Sequence, residues 1–385
     1  MREQELPPGP REPAALQTVE WIVRPTALLR RAQARYGEPF TLRTAWTDAP
    51  LVLTSDPQEI KRIYAAPPDV LQGGDSSSIL EPFVGRNSVL ILNGDEHLRQ
   101  RRLMLPPFHG EALKRHRQTI AEITHAELDT WTPNAKLKTL PRMQAITLEV
   151  IQRVIFGSRD PALKQALRRA LDMTGSTPNL IVMALFGPHR RFRAAVGRID
   201  ELIYARIDEA GGGDSILDLL KASGATREEL RDQLVTLLAA GHETTATALA
   251  WACERLARRP TPLDTDQRID AFVREVLRTR PVLSITARRT LQPYPLGEHT
   301  VPAGVYVAAC LYLAHRREPS MFIPFGGGTR RCLGAAFATL EMREVIRAVN
   351  QRFLISPDRP EGERMRRRSV VLAPSRQGSI IPITR

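Results

Sequence analysis

Residues 227–258 carry apolar side chains at helical spacing without a proline to interrupt them. At 1.5 Å per residue this run spans about 48 Å, long for a helix in a globular protein. Burying such a helix takes a large surrounding domain. In its middle sits Ala240-Gly241-His242-Glu243-Thr244-Thr245. An interior glycine costs a helix about 1 kcal/mol against alanine, and threonine hydroxyls bend helices by bonding back one turn. Taken alone, this hexapeptide reads equally well as a functional site and as close packing at Gly241.

Helical periodicity also covers residues 27–36, 57–64, 94–105, 110–131, 140–156, 161–173, 192–209 and 268–278. Strand signals are fewer. Residues 39–43 and 50–54 flank Trp46-Thr47-Asp48 as a hairpin, and 305–309 follow the turn Pro302-Ala303-Gly304. Residues 370–373 and 379–383 suggest a last small sheet. No repeat, low-complexity tract or long Gly/Ser linker divides the chain. Residues 1–385 are therefore expected to form one mainly α domain with small β-sheets, opening on the proline-rich segment 6–10.

Composition narrows the function classes. No apolar run reaches 18 residues, and Met1-Arg2-Glu3-Gln4-Glu5 lacks the apolar region of a secretion signal. A cytoplasmic monomer with no membrane anchor is expected. Cys253, Cys310 and Cys332 are far apart with no C-x-x-C pair, which argues against zinc ribbons and thioredoxin-type sites. Cys253 and Cys310 read as core residues. A net charge of +13 would suit nucleic acid, but the arginines are spread over most helices and no nucleic-acid motif accompanies them. What remains is a solvated basic surface, or steering of an acidic partner.

Cys332 stands in a different setting. Phe325-Gly326-Gly327-Gly328-Thr329-Arg330-Arg331-Cys332-Leu333-Gly334 precedes a helical run over 335–353. Glycines let backbone approach a flat ligand, while a helix N-terminus and flanking arginines favour thiolate over thiol. The stretch fits Phe-x-x-Gly-x-Arg-x-Cys-x-Gly at every defined position. In this it resembles the heme-ligand signature of the cytochrome P450 family. The resemblance runs in order from Leu6-Pro7-Pro8-Gly9-Pro10 to Leu372-Ala373-Pro374, nearly the whole chain.

That resemblance implies a single-domain cytochrome P450 fold, with heme b between the long central helix and the cysteine-loop helix. It implies Cys332 as the axial ligand of the heme iron, with Phe325, Gly334 and Ala240 around the cofactor. Gly241 would open a groove over the iron, Thr244 would hydrogen-bond dioxygen, and Glu243 would help relay protons. His97 and Arg101, at i,i+4 on one helix, would hold the heme propionates with Arg288 and Arg330; Arg289 is the alternative to Arg288. Glu275 and Arg278 match a Glu-x-x-Arg pair that supports the heme-side core without doing chemistry.

The implied activity is hydroxylation of an apolar substrate such as a fatty acid, terpenoid or steroid. Electrons would come from a separate acidic ferredoxin or flavodoxin with its reductase. Two alternatives stand beside it: a peroxide-driven peroxygenase, and a non-catalytic heme-based sensor. The substrate pocket would be lined from residues 76–84, 173–186, 237–240, 282–286 and 371–373. Segments near 211–213, 260–267 and 318–324 are short for the family, which usually has a meander with a further arginine before the cysteine loop. The expectation is a longer native chain with loops omitted there, which an intact mass of 43.1 kDa would refute.

Overall fold

The computed structural model describes residues 6–108, 110–209, 213, 215–259 and 263–384. Its axis is the central helix, Arg227–Leu256. Thr226 and Glu229 start it with a reciprocal capping box, each side chain accepting from the other's backbone N–H. Such a box satisfies two donors that a helix end leaves orphaned. Side chains on most sides of this helix are buried against helix Thr139–Phe156, the cysteine-loop helix Ala335–Arg352 and the strand Val371–Pro374. Trp251, fully buried, donates its Nε1–H to Leu372 O at 2.7 Å and so pins that strand to the helix.

A five-stranded sheet lies to one side, in the order Phe40–Leu42, Leu51–Thr54, Tyr306–Ala309, Thr286–Thr290, Leu71–Gln72. Only the pairing of Leu51–Thr54 with Tyr306–Ala309 is parallel. The hairpin around Trp46 is present as expected. The last small sheet is not. Val371–Pro374 pairs with Met365–Arg368, whereas Ser379–Thr384 joins Leu137–Lys138 and Phe353–Pro357 in a separate sheet. The first is a local hairpin turned at Ser369-Val370, whereas Ser379–Thr384 finds both partners farther upstream, beyond the reach of a local turn signal.

The periodic helices appear within about two residues of the expected ends, apart from 110–131, which stops at Leu128. Ala14–Val23, Thr177–Phe186, Ile216–Ala222 and Leu311–Arg317 were not anticipated as helices. Thr177–Phe186 is apolar nearly all round, so it offers no period to read. Only Leu180 and Ala184 in it are buried, beside Ile22, while Phe186 is 82% exposed. Of the short segments at 211–213 and 260–267, residues 211, 212 and 260–262 lie outside the described residues. The third, 318–324, turns straight from helix Leu311–Arg317 into the cysteine loop.

Candidate active site

The cysteine loop closes on itself through backbone bonds. Cys332 N–H donates to Phe325 O at 2.9 Å, Arg331 N–H to Gly328 O at 3.1 Å, and Gly326 N–H to Ile323 O at 3.0 Å. Gly326 and Gly328 hold φ of +68° and +65°, which side chains disfavour. The glycine run serves packing as well. A Cβ on Gly327 would fall 2.4 Å from the Tyr64 ring, and one on Gly328 would fall 2.1 Å from Tyr64 O. Tyr64 in turn joins its hydroxyl to Thr286 Oγ1 at 2.8 Å. Gly334 precedes the helix Ala335–Arg352 as its cap residue, with open space where a Cβ would be. Cys332 itself is exposed, whereas Cys253 and Cys310 are buried core residues. Its sulfur is nevertheless crowded by protein, and poor solvation pushes the thiol pKa up, against a bond from Gly334 N–H and the fields of Arg101 and Arg331.

Four basic residues gather beside this loop. His97 is buried and its pKa is pushed down to about 4, by burial first and then by Arg330, Arg101 and Arg288. Burial also lowers Arg101 and Arg288, and takes Arg330 to about 10. Arg330 donates to the carbonyls of Val89 (3.2 Å), Leu90 (3.4 Å) and Leu92, and to Asn93 Oδ1 at 2.9 Å. Arg288 donates to Ala287 O at 2.8 Å. Among the described residues, none of these three arginines is ion-paired to a carboxylate. Arg289, on the opposite face of the strand, is paired: its NH1 donates to Asp48 Oδ2 at 2.7 Å. Between the two candidates, Arg288 is therefore the one in the cluster.

Solvent reaches the middle of the central helix at Ala240, which is exposed, and at its half-buried neighbours Ala239, Gly241 and Thr244. Ala240 and Thr244 stand one turn apart, and Thr244 Oγ1 donates to Ala240 O at 2.6 Å. Glu243 is buried. Its Oε2 accepts from Gln144 Nε2 at 2.7 Å and its Oε1 from Arg368 Nε at 2.9 Å. Burial raises its pKa, against the pull of Arg368 and Gln144. Arg368 reaches on to Asp172 Oδ1 at 2.9 Å, whose side chain is 64% exposed. A Cβ on Gly241 would meet Ile151 of helix Thr139–Phe156 at 3.2–3.3 Å, so the missing side chain lets that helix pack close.

Comparison with known proteins decides the family. The cytochrome P450 family model matches residues 7–264 and 314–381. The chain belongs to the cytochrome P450 family. A Mycobacterium tuberculosis relative named cytochrome P450 135B1 is 35% identical, covering 97% of this chain and 91% of its own. That alignment runs over 429 positions, more than the 385 residues here, so the relative carries residues that this chain lacks. Another from the same organism, named cytochrome P450 138, is 34% identical over 98% of this chain and 96% of its own. Among solved structures, cyanobacterial CYP120A1 with retinoic acid bound superposes with a TM-score of 0.84 at 21% identity, covering both chains entirely. CYP175A1 from Thermus thermophilus gives 0.77 at 25% identity, over 94% of this chain and 95% of its own. Membership brings heme-thiolate monooxygenase chemistry, with heme b as cofactor and dioxygen and a redox partner as co-reactants. Among the described residues, no helix is long and apolar enough to cross a membrane.

In this P450 the Glu-x-x-Arg pair forms as expected. Arg278 Nε and NH2 grip the two Glu275 oxygens at 2.9 and 2.8 Å. The remaining guanidinium nitrogen donates to His315 O at 2.8 Å, where no meander arginine is present. His315, fully buried, sends Nδ1–H back to Arg278 O at 3.0 Å and accepts the Ile323 N–H on Nε2 at 3.2 Å. It thus ties the Glu-x-x-Arg helix to the segment entering the cysteine loop. His315, Arg368, Gln144 and Tyr64 are site-supporting residues that sequence reasoning missed. For three of them no motif marks the position, but Arg368 ends a run of basic residues, Arg366-Arg367-Arg368, in a strand.

Proposed function

We propose that this chain is a monooxygenase that hydroxylates an apolar substrate, a fatty acid, terpenoid or steroid, with electrons from a separate ferredoxin or flavodoxin. One observation carries the cofactor half of this reading: His97, Arg101, Arg288 and Arg330 cluster next to an accessible cysteine, and among the described residues none of the three arginines is ion-paired to a carboxylate. Arg101 links the two, since its charge acts on His97 and on the Cys332 thiol. A basic cluster with no direct ion pair to its arginines fits the two propionates of heme b, and charge-assisted bonds to them would satisfy it. Cys332 would be the thiolate ligand and Phe325 and Gly334 its loop supports. Bound heme supplies thiolate-ligated iron for oxygen activation.

The residues above the cofactor manage water and protons. Thr244 Oγ1 now gives its proton to Ala240 O, leaving its lone pairs toward the cleft. Rotation about its Cβ–Oγ1 bond turns the hydroxyl proton outward. Glu243 would resupply it, a reading supported by Arg368, which bridges Glu243 to the exposed Asp172. A carboxylate that exchanges its Arg368 bond for water can carry protons inward from that surface. This Glu243–Thr244 arrangement favours a dioxygen-using monooxygenase over a peroxygenase or a sensor, neither of which needs inward proton delivery. The basic surface of the chain, with a net charge of +13, suits an acidic electron donor.

The deciding experiment is spectroscopic. Reduced protein with carbon monoxide is expected to absorb at about 450 nm, and Cys332→Ser to lose that band. A full band in the variant removes Cys332 as the ligand.

A further inference from the structure

Asn93 occupies the cap position of helix Gly94–Met104, a place where asparagine usually accepts from the helix's own first N–H groups. Here its side chain makes no such bond. Instead Oδ1 accepts from Gly74 N–H at 2.8 Å and from Arg330 NH2 at 2.9 Å. Its Nδ2 donates to Asp75 Oδ1 at 2.8 Å. Three hydrogen bonds of one amide are thus turned away from its helix, toward one arginine of the cofactor cluster and the loop at Gly73–Asp75.

That loop has little freedom to shift. A Cβ on Gly73 would fall 2.9 Å from Arg330 Nε, and one on Gly74 would fall 1.9 Å from Ile91 O. Ser76 Oγ donates to Ala287 O at 3.0 Å, beside Arg288, and Tyr306 OH reaches Asp75 O at 3.3 Å. Downstream, the short helical turn Asp75–Leu80 leads into the segment read as substrate wall. The loop is therefore bonded, within three residues, to the surroundings of two of the basic groups assigned to the heme carboxylates.

We propose that Asn93 is a positioning residue that ties the ordering of residues 73–80 to the seating of a heme carboxylate on Arg330. The inference rests on the assignment of Arg330 to the cofactor. A heme carboxylate bonded to Arg330 restricts the guanidinium, the guanidinium fixes the Asn93 amide, and the amide fixes Gly74 and Asp75. Coupling of this kind is reciprocal, so an ordered loop also holds heme more tightly.

The test compares heme-loaded wild type with Asn93→Ala by hydrogen exchange, and follows hemin transfer from each to excess apomyoglobin. Residues 73–80 are expected to exchange about tenfold faster in the variant, and hemin to leave about tenfold faster, while helix Gly94–Met104 keeps its protection. Unchanged exchange at 73–80 overturns the proposal. So does a faster loop with hemin loss at the wild-type rate, or loosening of helix Gly94–Met104, which would make Asn93 an ordinary cap. If Asn93→Ala does not fold, Asp75→Ala removes the Nδ2 acceptor and leaves the Arg330 bond; it carries the same expectations and the same refutations. A wild type that binds no hemin ends both this proposal and the site reading. A wild type that has the band at about 450 nm, with a variant unmoved in exchange and hemin loss, ends this proposal alone.

Discussion

Arg368 Nε donates to Glu243 Oε1 at 2.9 Å across 125 residues of sequence, joining a C-terminal strand to the middle of the central helix. Glu243 is buried and Arg368 half-buried, so removing the arginine strands a buried carboxylate. Arg368→Leu leaves Glu243 without its cation and is expected to cost about 3–5 kcal/mol at neutral pH. Glu243 already has a raised pKa. A carboxyl whose folded pKa lies above its unfolded value favours the fold at low pH and loses that contribution as pH rises. Thermal denaturation at pH 5 and pH 8 should therefore show Arg368→Leu recovering stability in acid. Equal losses at both pH values would remove Arg368 as the partner of the charged form.

Thr244→Ala separates oxygen consumption from product formation. With the hydroxyl gone, the cleft keeps its shape but loses its proton-bearing oxygen. Product formed per NAD(P)H consumed is expected to fall about tenfold or more, with hydrogen peroxide released instead. Product yield equal to the wild type would assign Thr244 to helix bending alone.

Gly241→Ala tests whether that glycine serves helix packing. Alanine gains about 1 kcal/mol in helix propensity, while its Cβ meets a flexible Ile151 side chain at 3.2–3.3 Å. The two effects nearly offset, so stability should move by less than about 1 kcal/mol and turnover should persist. Turnover lost with stability intact would return Gly241 to the face over the cofactor.

His315 makes the protein acid-sensitive. Burial lowers its pKa to about 4, from an ordinary value of 6.5. A histidine depressed in this way stabilises the fold fully above pH 6.5 and loses that contribution as pH falls toward 4. The loss is about 3 kcal/mol at most. His315→Gln keeps a donor and an acceptor without the titration. Denaturation midpoints between pH 7 and pH 4 should fall less steeply in that variant than in the wild type.

Much of this was legible in the sequence because it is local. Helical periods, the Cys332 signature, the i,i+4 pair His97–Arg101 and the i,i+3 pair Glu275–Arg278 all lie within one turn or one loop. What was not legible joins distant segments. Arg368 meets Glu243 only because the strand Met365–Arg368 pairs with Val371–Pro374, which lies on the central helix. His315 acts through a carbonyl and an amide, groups every residue possesses. Tyr64 is marked only by the space that Gly327 and Gly328 leave for it. Thr177–Phe186 hid its helix in uniform apolarity.

The basic cluster also bears on how the molecule is assembled. Three guanidinium groups and a histidine are brought together by a strand, a helix and the cysteine loop, from three distant parts of the sequence. Without a counter-ion the three guanidinium groups repel one another, and each step that brings the elements closer runs uphill in charge, while His97 stays neutral. Under the proposed assignment, propionates seated there would reverse that slope. Heme would then be a counter-ion to the fold as well as its reagent, and the last approach of these elements would be completed by the molecule they enclose.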